Sequence, residues 1–419
     1  MKKFFVLWSS QAASMFGSTI VGFTLAWYLA RETGSATILS TAILVNILPG
    51  VALGPFIGPF IDRWSRKQIM IYSDLVTALL TLVLVVLFHT GSIQIWHIYV
   101  IMAGRSISAS FQGPALSASV PMIVPEKQLV RANGLNMMLR GANNIVSPLA
   151  GAFLIEALDM QWVLSVDIIT AVIAVACLIP LAIPQPPRSV LVARPGYFTD
   201  LKQGFRYITA WRGILYLVVL FAILQFLSAP ANALTPLFVT EYFGGDVLKL
   251  GWLQTAAGVG VIAGGLIMGV WSGFKKRMVT TLTSIMLQAV SVFIFGFTTE
   301  GLFLLAVSMR LVSGLCSAML NAPLGAIMQS AVARDMQGRV FALQNSLMGI
   351  TMPLSLAIAG PVADAVELRS IWYVSAAAIF IVTGLAFFFR DLMNIEDYKV
   401  EEKPGEETSP PVPKLENGS

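Results

Sequence analysis

The sequence predicts an all-α polytopic membrane protein with twelve transmembrane helices in a pseudo-symmetric 6+6 arrangement. Three observations lead there. Only 12 % of the 419 residues are charged while 56 % are hydrophobic, against about 25 % charged in an ordinary soluble domain. Apolar stretches long enough to cross a bilayer follow one another almost without interruption. Features of the first half recur 205–211 residues later in the second.

A bilayer-crossing helix needs roughly 20 mostly apolar residues. Twelve stretches qualify, at about 4–30, 37–60, 69–90, 96–119, 133–157, 162–183, 213–239, 249–271, 278–298, 301–325, 340–363 and 371–390. The first follows Lys2 and Lys3 and runs to Ala30, well past the roughly 7–15 apolar residues of a cleaved signal. It reads as an uncleaved first span. Prolines and glycines inside several spans are tolerated where neighbouring helices satisfy the freed backbone groups. Cys177 and Cys316 lie within apolar runs and read as small core residues. The longest internal connection, PQPPRSVLVARPGYFTDLKQGFRYITAWR, is Pro-rich and basic and turns amphipathic toward its end. Four parts follow: an N-terminal six-helix bundle (1–183), a cytoplasmic linker (184–212), a C-terminal six-helix bundle (213–390), and a cytoplasmic tail (391–419). The tail is rich in acids, Pro, Ser and Gly and is expected to be disordered.

An even number of spans puts both termini on one side, and the positive-inside rule chooses it. With the N-terminus in the cytoplasm, 21 of the 27 Lys and Arg fall inside and three outside, Arg31, Lys249 and Arg369. The other three, Arg105, Arg140 and Arg310, lie within the membrane.

The repeat is visible in several places. Span two ends GPFIDRWSRK from Gly58 and span eight ends GVWSGFKKR from Gly269, an offset of 211. Arg131 and Arg339 are 208 apart; Arg105 and Arg310, and Pro148 and Pro353, are each 205 apart. This is a parallel duplication about an axis normal to the membrane.

The loop after span two carries Gly58, Asp62, Arg63, Arg66 and Lys67 at the spacing G-x-x-x-D-R-x-x-R-K, with Ser65 where a second glycine would complete the pattern. Span four carries Arg105 with Gln112 and Gly113. Span five carries Gly134, Asn143, Ser147, Pro148, Gly151 and Ala152. In these motifs, over nearly all of residues 1–390, the chain resembles the major facilitator superfamily of secondary transporters. The span-five residues are similar to that superfamily's antiporter motif, of which Gly134, Pro148 and Gly151 are literal, Ser147 and Ala152 keep only small size, and Asn143 departs. WSSQAAS near Trp8, ETGSATILS from Glu32, FQGPALSASVPMIVPEKQL from Phe111 and GRVFALQNSLMGITMPL from Gly338 resemble the macrolide-efflux branch of its drug exporters. The resemblance implies alternating access, a bacterial inner-membrane location, and a loop motif (Gly58, Asp62, Arg63, Arg66, Lys67) that gates by latching the halves. The neighbourhood it implies is mixed, with siderophore exporters and lysophospholipid flippases as the alternatives.

An ionisable residue within a span costs at least ~2.5–3.5 kcal/mol on insertion scales, so each needs a reason. Arg105 and Arg310 sit near the middle of their spans, and Asp74, Arg140 and Asp167 lie nearer the ends. No Asp or Glu falls inside a span of the second half. A proton-coupling carboxylate, where protons drive the carrier, therefore belongs to the first half, with Asp74 or Asp62 restrained by Arg63, Arg105 or Arg140, and Asp167 and the outer Glu156 as further candidates. The resemblance implies a cargo path lined by spans 1, 2, 4, 5 and 7, 8, 10, 11. Candidate cargo contacts there are Gln11, Trp27, Asn46, Gln112, Asn136 and Asn143, and Gln225, Asn232, Gln254, Arg310 and Asn345. Apolar walls with few polar anchors suit a small amphipathic substrate. The expectation is a monomer in a lipid bilayer, driven by a proton gradient, with no cofactor and no nucleic-acid partner. An enzyme is disfavoured: His89 and His97 lack further ligands for a metal, and no phosphate-binding G-x-x-x-x-G-K-[ST] run occurs.

Overall fold

The computed structural model describes residues 2–184, 197–271 and 273–397; among these, the side chains of 2, 55, 58, 59, 62, 63, 197–201, 334, 335 and 397 are outside the description. No strand occurs among the described residues. The helices are α1 (Lys2–Thr33), α2 (Ala36–Arg63), α3 (Arg66–His89), α4 (Ile95–Ile123), α5 (Leu129–Ala157), α6 (Met160–Leu178), α7 (Tyr197–Ala210), α8 (Arg212–Ala233), α9 (Thr235–Tyr242), α10 (Val247–Trp271), α11 (Arg277–Gly296), α12 (Phe303–Ala331), α13 (Arg334–Ala365), α14 (Leu368–Ala386) and α15 (Arg390–Met393).

Among the described residues, ten helical segments are long and apolar enough to cross a membrane, α8 and α9 forming one of them. The other two of the twelve expected spans are α4 and α5, equally long but more polar. α4 carries Arg105, Gln112 and a series of serines, and α5 carries Arg131, Arg140 and four asparagines. Serine hydroxyls start two of the helices: Ser35 accepts from Ile38 N at 3.3 Å and Ser65 from Gln68 N at 3.4 Å, satisfying amide groups that the first turn leaves free. Gly34 and Gly91, with φ of 61° and 65°, turn the chain after α1 and α3, a backbone state costly to residues with a β-carbon.

The described residues fall into two compact units, one within Met1–Val192 and Ala233–Thr255, the other within Ala193–Asn232 and Ala256–Ser419. In unit one, α1 packs on α5 and α6, α3 on α4 and α6, and α2 on α4. α3 gathers polar groups on its inward face and apolar ones on its outward face. On α3 the buried positions include Ser73, Asp74, Thr77 and Thr81, while Leu75, Val76, Leu79, Leu82, Val83 and Val86 are exposed. An outward apolar stripe suits lipid, and the inward face gathers the polar groups. Gly17 lets α1 approach α6: a β-carbon there would lie 2.9 Å from Asp167 Cα.

In unit two, α11 packs on α12 and α14, and α7 packs on α13. α7, within the stretch read as a linker, buries Tyr207 and Ile208 and exposes Lys202 and Arg206. The segment read as a disordered tail starts with folded residues. Leu392 and Ile395 are 1 % and 0 % exposed in the unit's main core. Glu396 Oε1 accepts from Met278 N at 2.8 Å, placing a carboxylate at the positive end of α11. Two apolar anchors and a capping acid outweigh the polar composition there; residues 398–419, and residues 185–196 of the linker, lie outside the described residues.

α10 and α12 meet across glycines. A β-carbon on Gly260 would collide with Leu311 O, one on Gly264 with Leu315 O, and one on Gly314 with Ala257 O, whereas Gly265 has open space around it. Small residues at such spacing set how closely membrane helices approach. Gly264→Leu is therefore expected to destabilise the fold by about 1–3 kcal/mol through overpacking, with Gly265→Leu near neutral. Thermal unfolding of the two purified variants in one detergent checks this; equal midpoints would contradict it.

Candidate functional site

Unit one encloses two buried carboxylates. Gln11, Ser14 and Ser18 recur on α1 at i, i+3 and i+7, which puts them on one face. Asp74 of α3, 1 % exposed, accepts from Ser14 Oγ at 2.6 Å, Gln112 Nε2 at 2.7 Å and Gln11 Nε2 at 3.0 Å. Gln112 Nε2 also donates to Gln11 Oε1 at 3.0 Å. All these donors are neutral.

Asp167 of α6 is fully buried and is held differently. It accepts from Ser18 Oγ at 2.8 Å and Thr81 Oγ1 at 2.7 Å, and it forms an ion pair with Arg105 Nη1 at 2.5 Å. Arg105 also donates to Thr81 Oγ1. The sequence reading set Arg105 against Asp74; the structure gives it to Asp167, because α4 presents the guanidinium toward α6 and Thr81 rather than toward the glutamine cluster. Arg140 makes no ion pair with Asp74 either. It lies on the wall of a cavity of about 540 Å³ in unit one, beside Gln11, Asn46, Arg105, Gln112 and Asn136.

Two of the proposed contacts stand away from that cavity. Trp27 is 1 % exposed and buried in packing. Asn143 donates to Thr19 Oγ1 at 2.8 Å and accepts from Ser147 Oγ at 2.7 Å, which joins α5 to α1. Ser147 is fully buried, Pro148 sits within α5, and Gly151 lies against Phe23, where a β-carbon would come within 3.0 Å of its ring. Gly134 has open space around it.

Of the loop motif, Arg66 Nη1 donates to Ala118 O at 2.8 Å and Lys67 Nζ to Ile179 O at 2.6 Å. Both cations thus sit at the carbonyl-rich ends of α4 and α6, where positive charge is favoured. Gly58 lies in α2; the side chains of Asp62 and Arg63 lie outside the described residues.

Unit two holds a cavity of about 320 Å³ lined by polar Gln225, Ser228, Asn232, Gln288, Arg310, Ser313, Asn321 and Gln344 and by Phe221, Phe295 and Trp372. Gln225, Asn232 and Arg310 were expected cargo contacts. Gln344 faces the cavity in place of the neighbouring Asn345, and Gln254, in unit one, lines neither cavity. The sequence reading missed Ser14, Ser18, Thr19 and Thr81 as partners; the α1 spacing 11, 14, 18 was the available signal.

Residues 1–413 match the family described as transmembrane secretion effector. The chain is 30 % identical to macrolide efflux protein A of Streptococcus pyogenes, over 91 % of this chain and 94 % of that protein. It is 25 % identical to the multidrug efflux pump Tap of Mycolicibacterium fortuitum, over 91 % and 93 % respectively. A solved bacterial homologue of the human lysosomal transporter Spinster superposes with a TM-score of 0.67 at 14 % identity, covering 94 % of this chain and 97 % of that one; at that identity the likeness concerns the fold.

The ion pair yields a stability test. Asp167→Ala leaves Arg105 buried and unpaired and is expected to cost about 3–5 kcal/mol. Asp167→Leu combined with Arg105→Met removes both charges and is expected to recover most of that loss. Melting temperatures of the single and double variants decide it; a double variant no more stable than the single one would overturn the assignment.

Proposed function

Because the chain belongs to the transmembrane secretion effector family of the major facilitator superfamily, we propose that it is a secondary active exporter of bulky amphipathic, macrolide-like drugs, working by alternating access and proton antiport. It is a transport protein, not an enzyme, and it sits in a lipid bilayer. The two efflux relatives support drug export. The bacterial efflux relatives support a bacterial cytoplasmic membrane, and the positive-inside count supports both termini in the cytoplasm. A monomer and a proton gradient as sole energy source complete the reading.

Asp74 carries the coupling proposal. It is buried, its three hydrogen-bond donors, Gln11, Ser14 and Gln112, are all neutral, and all three line the unit-one cavity. A carboxylate without a cation partner takes up a proton more readily than one held in an ion pair. Asp74 is thus the proton carrier in this reading, and Asp167, tied to Arg105, is the structural acid.

Export into inverted vesicles of a radiolabelled macrolide and a cationic dye, under an imposed proton gradient with and without uncoupler, tests the proposal. Wild type is expected to accumulate the drug only with the gradient. Asp74→Asn is expected to lose roughly tenfold or more of the gradient-driven uptake, the order of a typical coupling free energy, while keeping its melting temperature. Uptake indifferent to uncoupler rules out proton antiport, and full gradient response in Asp74→Asn removes Asp74 as the carrier.

A further inference from the structure

The two mid-span arginines of the repeat have different surroundings. Arg105 is neutralised by Asp167. Its counterpart Arg310 stands ten residues beyond Glu300 within the span Glu300–Ala331, ~15 Å along the helix and near the middle of a ~30 Å hydrocarbon layer. At the repeat spacing of 205–211, Asp167 corresponds to residues 372–378, WYVSAAA, none of them acidic. Trp372 and Ser375 of that run line the cavity that Arg310 enters, and no acid lines it.

A guanidinium has five N–H donors. Arg310 gives one, from Nη1, to Asn232 Oδ1 at 3.4 Å, and its buried Nε has no acceptor. The Phe295 ring lies beneath it, 5.5 Å from Cζ, which attracts the cation without neutralising it. The remaining polar wall is made of amides and hydroxyls such as Gln225, Gln288 and Ser313, which serve an anion as donors. Aromatic surface from Phe221 and Trp372 adjoins them. A charge inside a membrane protein without a structural partner marks a substrate path.

We infer that the unit-two cavity around Arg310 is a subsite for the anionic group of an amphipathic cargo, a carboxylate, sulfonate or phosphate whose apolar body lies against the aromatic wall. The inference rests on the reading of the chain as an exporter of amphipathic compounds but shifts the cargo class at this subsite: a molecule carrying an acidic group is preferred there to a basic macrolide or a neutral compound. The acidic group supplies the counter-charge that Asp167 supplies in unit one.

The test uses three probes of one shape, 1-pyrenebutyrate, 1-pyrenebutanol and 1-pyrenebutylamine. Equilibrium binding to the full chain in phosphatidylcholine nanodiscs is read by energy transfer from tryptophan to pyrene, with empty nanodiscs subtracted. Wild type is expected to bind the carboxylate roughly ten- to a hundredfold more tightly than the alcohol, the value of a charge-assisted bond, and the amine most weakly. Arg310→Gln is expected to erase that preference, weakening the carboxylate far more than the alcohol, and Arg310→Lys to keep part of it. Ser313→Asp, one turn along α12, gives Arg310 an internal partner and is expected to erase the preference in a chain that has gained an ion pair, so a failure of Arg310→Gln to fold leaves the test intact. Displacement of the carboxylate probe by added phosphatidylglycerol supports the same subsite with a lipid headgroup as the source.

No saturable carboxylate binding, equal affinities for the three probes, or an undiminished carboxylate preference in Arg310→Gln or Ser313→Asp overturns the inference. Binding is read without a gradient. A charge-blind cavity therefore defeats this inference while export stands, and absent export in vesicles defeats the transport reading while the charge preference stands.

Discussion

Unit one depends on a single buried ion pair. Arg105 and Asp167 sit in the interior of the unit, where Asp167 is fully buried and Arg105 reaches it from the wall of the cavity. Their pairing, with Thr81 and Ser18 completing the carboxylate's hydrogen bonds, draws α4, α6, α3 and α1 to one point. The close approach of α1 to α6 at Gly17 is part of the same arrangement, since Ser18 reaches Asp167 only because its neighbour has no side chain in the way. Charge neutralisation here determines helix packing. Shape complementarity then fills in the apolar clusters around Leu25, Leu84 and Leu164 and around Leu7, Met70 and Leu178.

Asp74 differs from Asp167 only through its surroundings. Both are carboxylates buried within helices, and both accept hydroxyl hydrogen bonds from α1. One faces a guanidinium and the other faces amides. The ion pair commits Asp167 to packing, since Arg105 would be stranded without it. A cage of neutral donors imposes no such cost. Along this face of α1 the proposed function takes Asp167 as the structural charge and Asp74 as the proton carrier.

The long apolar runs, the span count and the duplication were legible in the sequence because they depend on composition and spacing alone. Which charges meet was not. Arg105 is separated from Asp74 by 31 residues and from Asp167 by 62, and the choice between them depends on the rotation of α4 about its axis. The same limit explains Gln344 and Asn345: adjacent positions on a helix point about 100° apart, so one faces the cavity and the other does not. Ser14 and Ser18 were overlooked because serine is unremarkable in a membrane helix; their spacing with Gln11 was the stronger signal. The folded start of the C-terminal segment escaped because Leu392 and Ile395 are two apolar residues in an acidic context, and only their burial beside α11 shows what they do.

The duplication makes the contrast between the arginines an argument about roles. Two repeats with the same mid-span cation start from the same electrostatic problem. Unit one solves it internally with Asp167. Unit two has Trp372 within the corresponding stretch, and the aromatic ring of Phe295 under Arg310, neither of which cancels charge. A membrane protein that retained an uncompensated guanidinium solely for packing would carry an insertion cost with no offset, since methionine or leucine would fill the same space without it. The cost is offset if the counter-charge arrives with the cargo. On that reading the first repeat holds Arg105 and Asp167 for packing and Asp74 for coupling, and the second holds Arg310 for recognition.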